Sequence, residues 1–216
     1  MKHHERGKGL RAREGNGKKP EEIVTTASLY DNSFKLIFGG AGGVGKTTLL
    51  NRFMYNEFNP ATPLTVGVAF NTLAIERQGR NIGLALWDLG GQDRFRFIQG
   101  IYCEKSQAAF VFFDMSNLGT LGQVPDWISM FRQYNDQSIP IVLVGTKMDL
   151  VPETELENIH AIANQYVVDY GMYCYGPTSA MLKINVEEII YYMIDLLIYN
   201  DYCTRAQQAQ TGDPGT

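Results

Sequence analysis

At 216 residues the chain is long enough for one domain with a proper core and short of two. Hydrophobic residues make up 44% and charged residues 19%, which excludes an intrinsically disordered protein, and no apolar run approaches the ~20 residues of a membrane span. The net charge of −4 is unevenly laid out: residues 1–20 carry +5 and the rest −9, and so acidic a body excludes a nucleic-acid binder.

The head, MKHHERGKGLRAREGNGKKP, is basic, rich in Gly and nearly free of hydrophobic residues. Residues 1–30 read as a disordered tail able at most to make weak electrostatic contact with an acidic surface or partner. His3 and His4 lie within it and do not read as metal ligands. There is no apolar stretch of signal-peptide length. Cys103, Cys174 and Cys203 lack metal-site spacing and read as free thiols of a reducing compartment. FKLIFGG predicts a buried strand over 34–39. Residues 45–57 carry Leu49, Leu50, Phe53 and Met54 at helical spacing. VAFNTLAIERQGRNIGLALWDL reads as a hairpin turning at QGRN. AAFVFFDM and IPIVLVGTK are continuous apolar runs, as expected of strands covered on both faces. Helical patterns fill 124–134, 153–170 and 186–199, the last with Ile189, Ile190, Met193, Leu196 and Leu197 on one side. A short strand is expected at MYCY, and RAQQAQTGDPGT reads as a disordered end. The boundaries are therefore a tail over 1–30, one domain over 31–200 and a short tail over 201–216. Strands alternating with helices predict a doubly wound, mostly parallel α/β sheet, in which ligands bind beyond the carboxyl ends of the strands.

The residues following each strand carry the chemistry. Gly40 to Thr47, GAGGVGKT, match G-x-x-x-x-G-K-[ST] between a strand and a helix. The backbone amides of Gly40, Gly42, Gly43, Val44 and Gly45 would form an anion nest around a phosphate chain at a helix N-terminus. Lys46 would reach the terminal phosphates, Thr47 would ligate Mg²⁺, and Thr48 extends the nucleotide contact. In WDLGGQ, Asp88 is placed to hold the metal through water, Gly91 offers its amide to a γ-phosphate, and Gln92 can orient an attacking water. In TKMD, the carboxylate of Asp149 suits the N1–H and 2-amino donors of guanine, a pair adenine does not present. Sites built this way discriminate by roughly 10⁴ or more. Thr146 belongs to the same loop, and Lys147 would lie along the base. In TSA, Ser179 and Ala180 follow the MYCY strand, and the Ala180 amide would meet the guanine carbonyl. Four such segments, each after a strand, point to a guanine-nucleotide site.

Over 34–199 the chain resembles a Ras-superfamily small GTPase. The resemblance implies a P-loop small G domain with a six-stranded mixed sheet and five helices, binding GTP or GDP with Mg²⁺. It also implies two segments that sense the γ-phosphate. In the first, Thr65 would bind Mg²⁺ only with GTP present; in the second, 88–99, Gly91 and Gln92 would act. Phe58 falls where the family packs an aromatic edge on the base, and at Gly42 a side chain would obstruct hydrolysis. The implied activity is a slow GTPase switch, catalysed by Gln92, Lys46 and Gly91, dependent on an activating protein and coupled to an exchange factor and effectors. WDLGGQDRF and DWISMFRQYNDQSIPIVLVGTKMDL are most similar to the septation and mitotic-exit GTPases of fungi, which predicts cell-cycle signalling. Rab-type trafficking GTPases come second, through WDxxGQxRFR. Thr62 stands where many members have a tyrosine over the phosphates, Gly90 replaces a usual alanine and is expected to add flexibility, and Met181 replaces a common lysine. No lipid-anchor motif is evident: there is no C-a-a-X box, Cys203 is not a prenylation site, and Lys2 excludes N-myristoylation. The expected location is the cytoplasm, with any membrane role needing a protein receptor or the basic tail. A nucleotide-bound scaffold with negligible hydrolysis is the rival from another class. TKMD argues against an ATPase or small-molecule kinase.

Overall fold

The computed structural model describes residues 30–92, 96–135 and 139–211. The basic head, read above as disordered, lies outside them. Six strands form one sheet: β1 Asn32–Gly40, β2 Val68–Arg77, β3 Arg80–Leu89, β4 Ala108–Asp114, β5 Ile141–Thr146 and β6 Cys174–Pro177. Their order is β2-β3-β1-β4-β5-β6, with β2 and β3 antiparallel and the other neighbours parallel. Among the described residues five α-helices cover it: α1 Lys46–Tyr55, α2 Arg96–Cys103, α3 Val124–Gln133, α4 Glu153–Asp169 and α5 Val186–Thr211. The fold is the mixed, mostly parallel sheet expected.

Alternation along the central strands sends side chains into two cores. Leu36, Phe38, Phe110 and Phe112 face α1 and α5, meeting Leu49, Leu50, Phe53, Ile190 and Met193. Phe38 and Phe110 stack there at 4.9 Å between ring centroids. Ile37, Val111 and Phe113 face the opposite side, under Trp127, Phe131 and Ile159. The two buried strands that read as unbroken apolar runs, β4 and β5, are buried at every position. The hairpin turns where QGRN placed it, through left-handed Gln78 and Gly79. Cys103, Cys174 and Cys203 are free, and burial pushes the Cys103 thiol up to about 12, leaving it unreactive.

Three elements differ from expectation. The strand expected at MYCY begins two residues later, at Cys174, because register with Val142 of β5 sets it. α2 has no counterpart among the helical patterns read from spacing, although the five helices implied by the resemblance include it. α5 does not stop at Tyr199 but continues to Thr211, so the end of the chain begins as helix and not as a disordered tail. Asp201 anchors the extra turns: it accepts from Asn32 Nδ2 at 2.9 Å and pairs with Arg205 one turn on. No helix among the described residues is long and apolar enough to cross a membrane.

Candidate functional site

β1 ends at the glycine run, and α1 begins at Lys46. Between them Gly43 and Gly45 take φ of 76° and 97°, a left-handed backbone that a side chain would strain. The loop curls around the N-terminus of α1 and leaves a cavity of about 130 Å³ lined by Gly42, Gly43, Gly45, Lys46, Thr47, Thr48, Leu64, Thr65, Gly91, Gln92 and Lys147. Gly40 and Val44 support it without lining it. Lys46 is only 5% exposed; its Nζ donates to Gly40 O at 2.8 Å and Ala41 O at 3.0 Å. Burial pushes its amine down to about 8, opposed by the Asp88 carboxylate.

Three oxygen-bearing side chains from three segments converge at the cavity floor. Thr47 Oγ1 lies 2.6 Å from Thr65 Oγ1 and donates to Asp88 Oδ2, which Thr65 also reaches at 3.2 Å. Asp88 is 1% exposed, and its Oδ1 has no partner among the described residues. Burial raises its pKa, while Thr47, Lys46 and Thr65 pull the other way. An orphaned carboxylate oxygen beside two hydroxyls is a donor set for a hard cation that completes its shell with phosphate and water. No group of three His, Cys, Asp or Glu that could hold a metal by itself occurs among the described residues.

Gly91 presses on the phosphate loop: a Cβ there would collide with the backbone of Ala41 and Gly42. A Cβ at Gly42 would meet Gly91 O at an ordinary 3.7 Å. Thr62, at the cavity rim, donates its hydroxyl to Asn59 O at 2.6 Å.

The second cavity, of about 420 Å³, opens beside the first and is lined by Phe58, Thr146, Lys147, Asp149, Ala180 and Met181, with Gly45 and Thr48 on the shared wall. Ser179 does not line it. Its buried hydroxyl donates to Asp149 Oδ1, holding the carboxylate in place, and accepts from Leu182 N–H at 3.0 Å. Thr146 lines the cavity but keeps its hydroxyl buried, donating to Val44 O and lying 3.0 Å from Phe113 O, which ties the TKMD loop to the glycine loop.

Two braces escaped the sequence reading. Asp114, at the end of β4, pairs with Lys147 Nζ at 2.7 Å, while that amine also donates to Gly43 O at 2.9 Å. The terminal carboxylate of VFFD is its only local sign. Arg52 of α1 donates to Asn56 O, Ala180 O and Met181 O at 2.7–3.0 Å and supports the cavity wall from behind; nothing local marks it.

Phe70, Trp87 and Tyr102 follow one another as tilted ring pairs, with centroids 4.7 and 5.5 Å apart. Phe70 is 53% exposed, and Ile101 and Val66 are also open to solvent. This apolar face spans β2, β3 and α2, the elements that follow or precede Thr65 and Gln92.

A model described as the Ras family matches residues 35–198. The chain is 37% identical to the Ras-related protein rab-11.1 of Caenorhabditis elegans over 163 residues, 73% of this chain and 74% of that protein. It is 31% identical to the Ras-related protein RABA1b of Arabidopsis thaliana over 186 residues, 86% and 83% of the two. It is 33% identical to the Ras-related protein Rab11A of Nicotiana tabacum over 159 residues, 74% and 72%. These relatives overturn the septation and cell-cycle reading drawn from WDLGGQDRF; the Rab-type reading, placed second, is the one they favour.

Proposed function

The chain belongs to the Ras family of small GTPases, and from that premise we propose that it is a Rab-type switch in vesicle traffic. It binds GTP and GDP and hydrolyses GTP to GDP and phosphate, and dependence on an activating protein is typical of the family. Small GTPases generally act through exchange factors, activating proteins and effectors. Its Rab11 and RABA relatives support the trafficking assignment.

In the proposed mechanism, the amides of the Gly40–Val44–Gly45 loop and the Lys46 ammonium hold the phosphates, with Thr48 beside them. Thr47, Thr65 and Asp88 would hold Mg²⁺, which neutralises phosphate charge when bound. The guanine ring lies between Phe58 and the Lys147 stem, with Asp149, fixed by Ser179, accepting its two donors and the Ala180 amide meeting its carbonyl. Thr146 contributes by joining the two loops. Gln92 orients the water for in-line attack, and Gly91 donates to the γ-phosphate. Departure of that phosphate frees Thr65 and Gly91, and the exposed Phe70–Trp87–Tyr102 face reports the change to effectors.

The observation carrying this reading is that Thr65 and Gly91, from separate segments, share one cavity with Lys46 and Gln92. Single-turnover hydrolysis by wild type and Gln92→Leu tests the chemistry: the variant should be at least roughly tenfold slower with GTP affinity unchanged, and equal rates reject the assigned role. For traffic, fluorescently tagged Gln92→Leu should gather on vesicle membranes in cells. A distribution as diffuse as that of the tag alone rejects it.

A further inference from the structure

The two γ-phosphate-sensing segments meet at one buried point that no nucleotide-binding motif explains. Gly90 donates its N–H to Gly67 O at 2.8 Å. A Cβ on Gly90 would stand 2.5 Å from Thr65 O and 2.9 Å from Gly67 O, so the glycine makes room for contact and does not add the flexibility expected of it. Gln99, fully buried on α2, turns its amide onto this junction: Nε2 donates to Gly90 O at 2.6 Å and lies 3.3 Å from Gly67 O. Two carbonyl oxygens face the amide, so its nitrogen must be the atom pointing at them. Gln99 Oε1 is buried with no partner among the described residues. A half-satisfied buried amide is unfavourable as packing material. α2 is itself moored on α3, where Arg96 meets Asp126 at 2.9 Å and covers the Trp127 ring, and on Gln123 just ahead of that helix at 3.0 Å.

We infer that Gln99 is a positioning residue for GTP hydrolysis: it fastens the segment bearing Thr65 to the segment bearing Gly91 and Gln92, so that both move as one body. The inference rests on the roles proposed for Thr65 and Gln92. Without the Gln99 donor, the buried Gly90 carbonyl loses its side-chain partner, and the segment that continues into Gly91 and Gln92 relaxes toward water. Thr65 then loses its fixed distance from Thr47 and Asp88.

The test uses the full-length protein loaded with GTP or GDP, with Mg²⁺ titrated. Gln99→Leu keeps the volume and removes the donor; Gly90→Ala places a methyl group in the junction. Each should slow single-turnover hydrolysis by roughly three- to tenfold and raise the Mg²⁺ concentration needed to retain GTP by a similar factor. The Mg²⁺ dependence of GDP retention should not move. The double variant should be no worse than the poorer single variant, because both break one junction. Thr65→Ala, run alongside, separates the two readings. If it raises the Mg²⁺ requirement for GTP and Gln99→Leu does not, the coupling is wrong and the metal assignment stands. If neither acts, the Thr65 role falls as well. Equal loss of GTP and GDP retention with a lowered melting temperature makes Gln99 merely structural and overturns the proposal.

Discussion

The base cavity and the phosphate cavity share a wall, yet they are built on different principles. Around the proposed base site, several wall groups are held by the protein itself: Asp149 by Ser179, Lys147 by Asp114 and Gly43, the 180–181 backbone by Arg52, and the loop by Thr146. Around the proposed phosphate site, Asp88 Oδ1 has no partner among the described residues, and Leu64 and Val66 lie open to solvent. One half is braced before a ligand arrives, and the other keeps a carboxylate oxygen that a bound cation would satisfy. A preorganised grip should treat GTP and GDP alike, whereas the incomplete half should tell them apart.

That contrast is open to attack at several strengths. Asp149→Ala removes the proposed acceptor of both guanine donors and should weaken GTP and GDP equally, by about 10³- to 10⁴-fold, read by calorimetry with Mg²⁺ present. An effect confined to one nucleotide would show that the base half takes part in switching. Arg52→Ala, outside both cavities, should accelerate release of both nucleotides by about tenfold through loss of its hydrogen bonds to the cavity wall. Stopped-flow release of a fluorescent guanine nucleotide measures it. Faster release of GTP alone would join Arg52 to the sensing half.

The same division governs what the sequence discloses. Local spacing is enough for GAGGVGKT, because a nest of amides needs contiguous residues between a strand and a helix. Asp149 and Gln92 were legible because each follows a strand directly, and strand ends share one crevice. Arg52 was not, since the two acceptors on the cavity wall lie 128 and 129 residues away. Asp114 pairs with Lys147 only because β4 and β5 are neighbours in the sheet. Gly90 was misjudged for a related reason: a glycine in sequence looks like freedom, and only the fold reveals the carbonyls crowding it. α5 was cut short because polar residues after Tyr199 break the apolar stripe, while Asp201 ties that stretch to Asn32.

The smallest expected effect probes the hairpin that joins the two sensing segments at its far end. Arg77 forks onto Asp195 of α5 at 2.8 and 2.6 Å, Gln78 adds a third bond at 2.9 Å, and Tyr191 lies beneath the guanidinium. The Arg77 hydrogen bond holds the Asp195 carboxyl below its ordinary value of 3.8. Because both partners are about a third exposed, Asp195→Asn should cost only about 1 kcal/mol. A carboxyl depressed in the folded state stabilises fully above its unfolded value, and that contribution drains away as the pH falls through the folded one. The melting-temperature gap between wild type and Asp195→Asn should therefore hold at neutral pH and close on acidification below 3.8. If the tip of the hairpin belongs to the fixed frame, the gap is the same with GTP or GDP bound. A gap that depends on the nucleotide would mean that the movement at Thr65 travels along β2 to α5, and the frame would then begin at α5 alone.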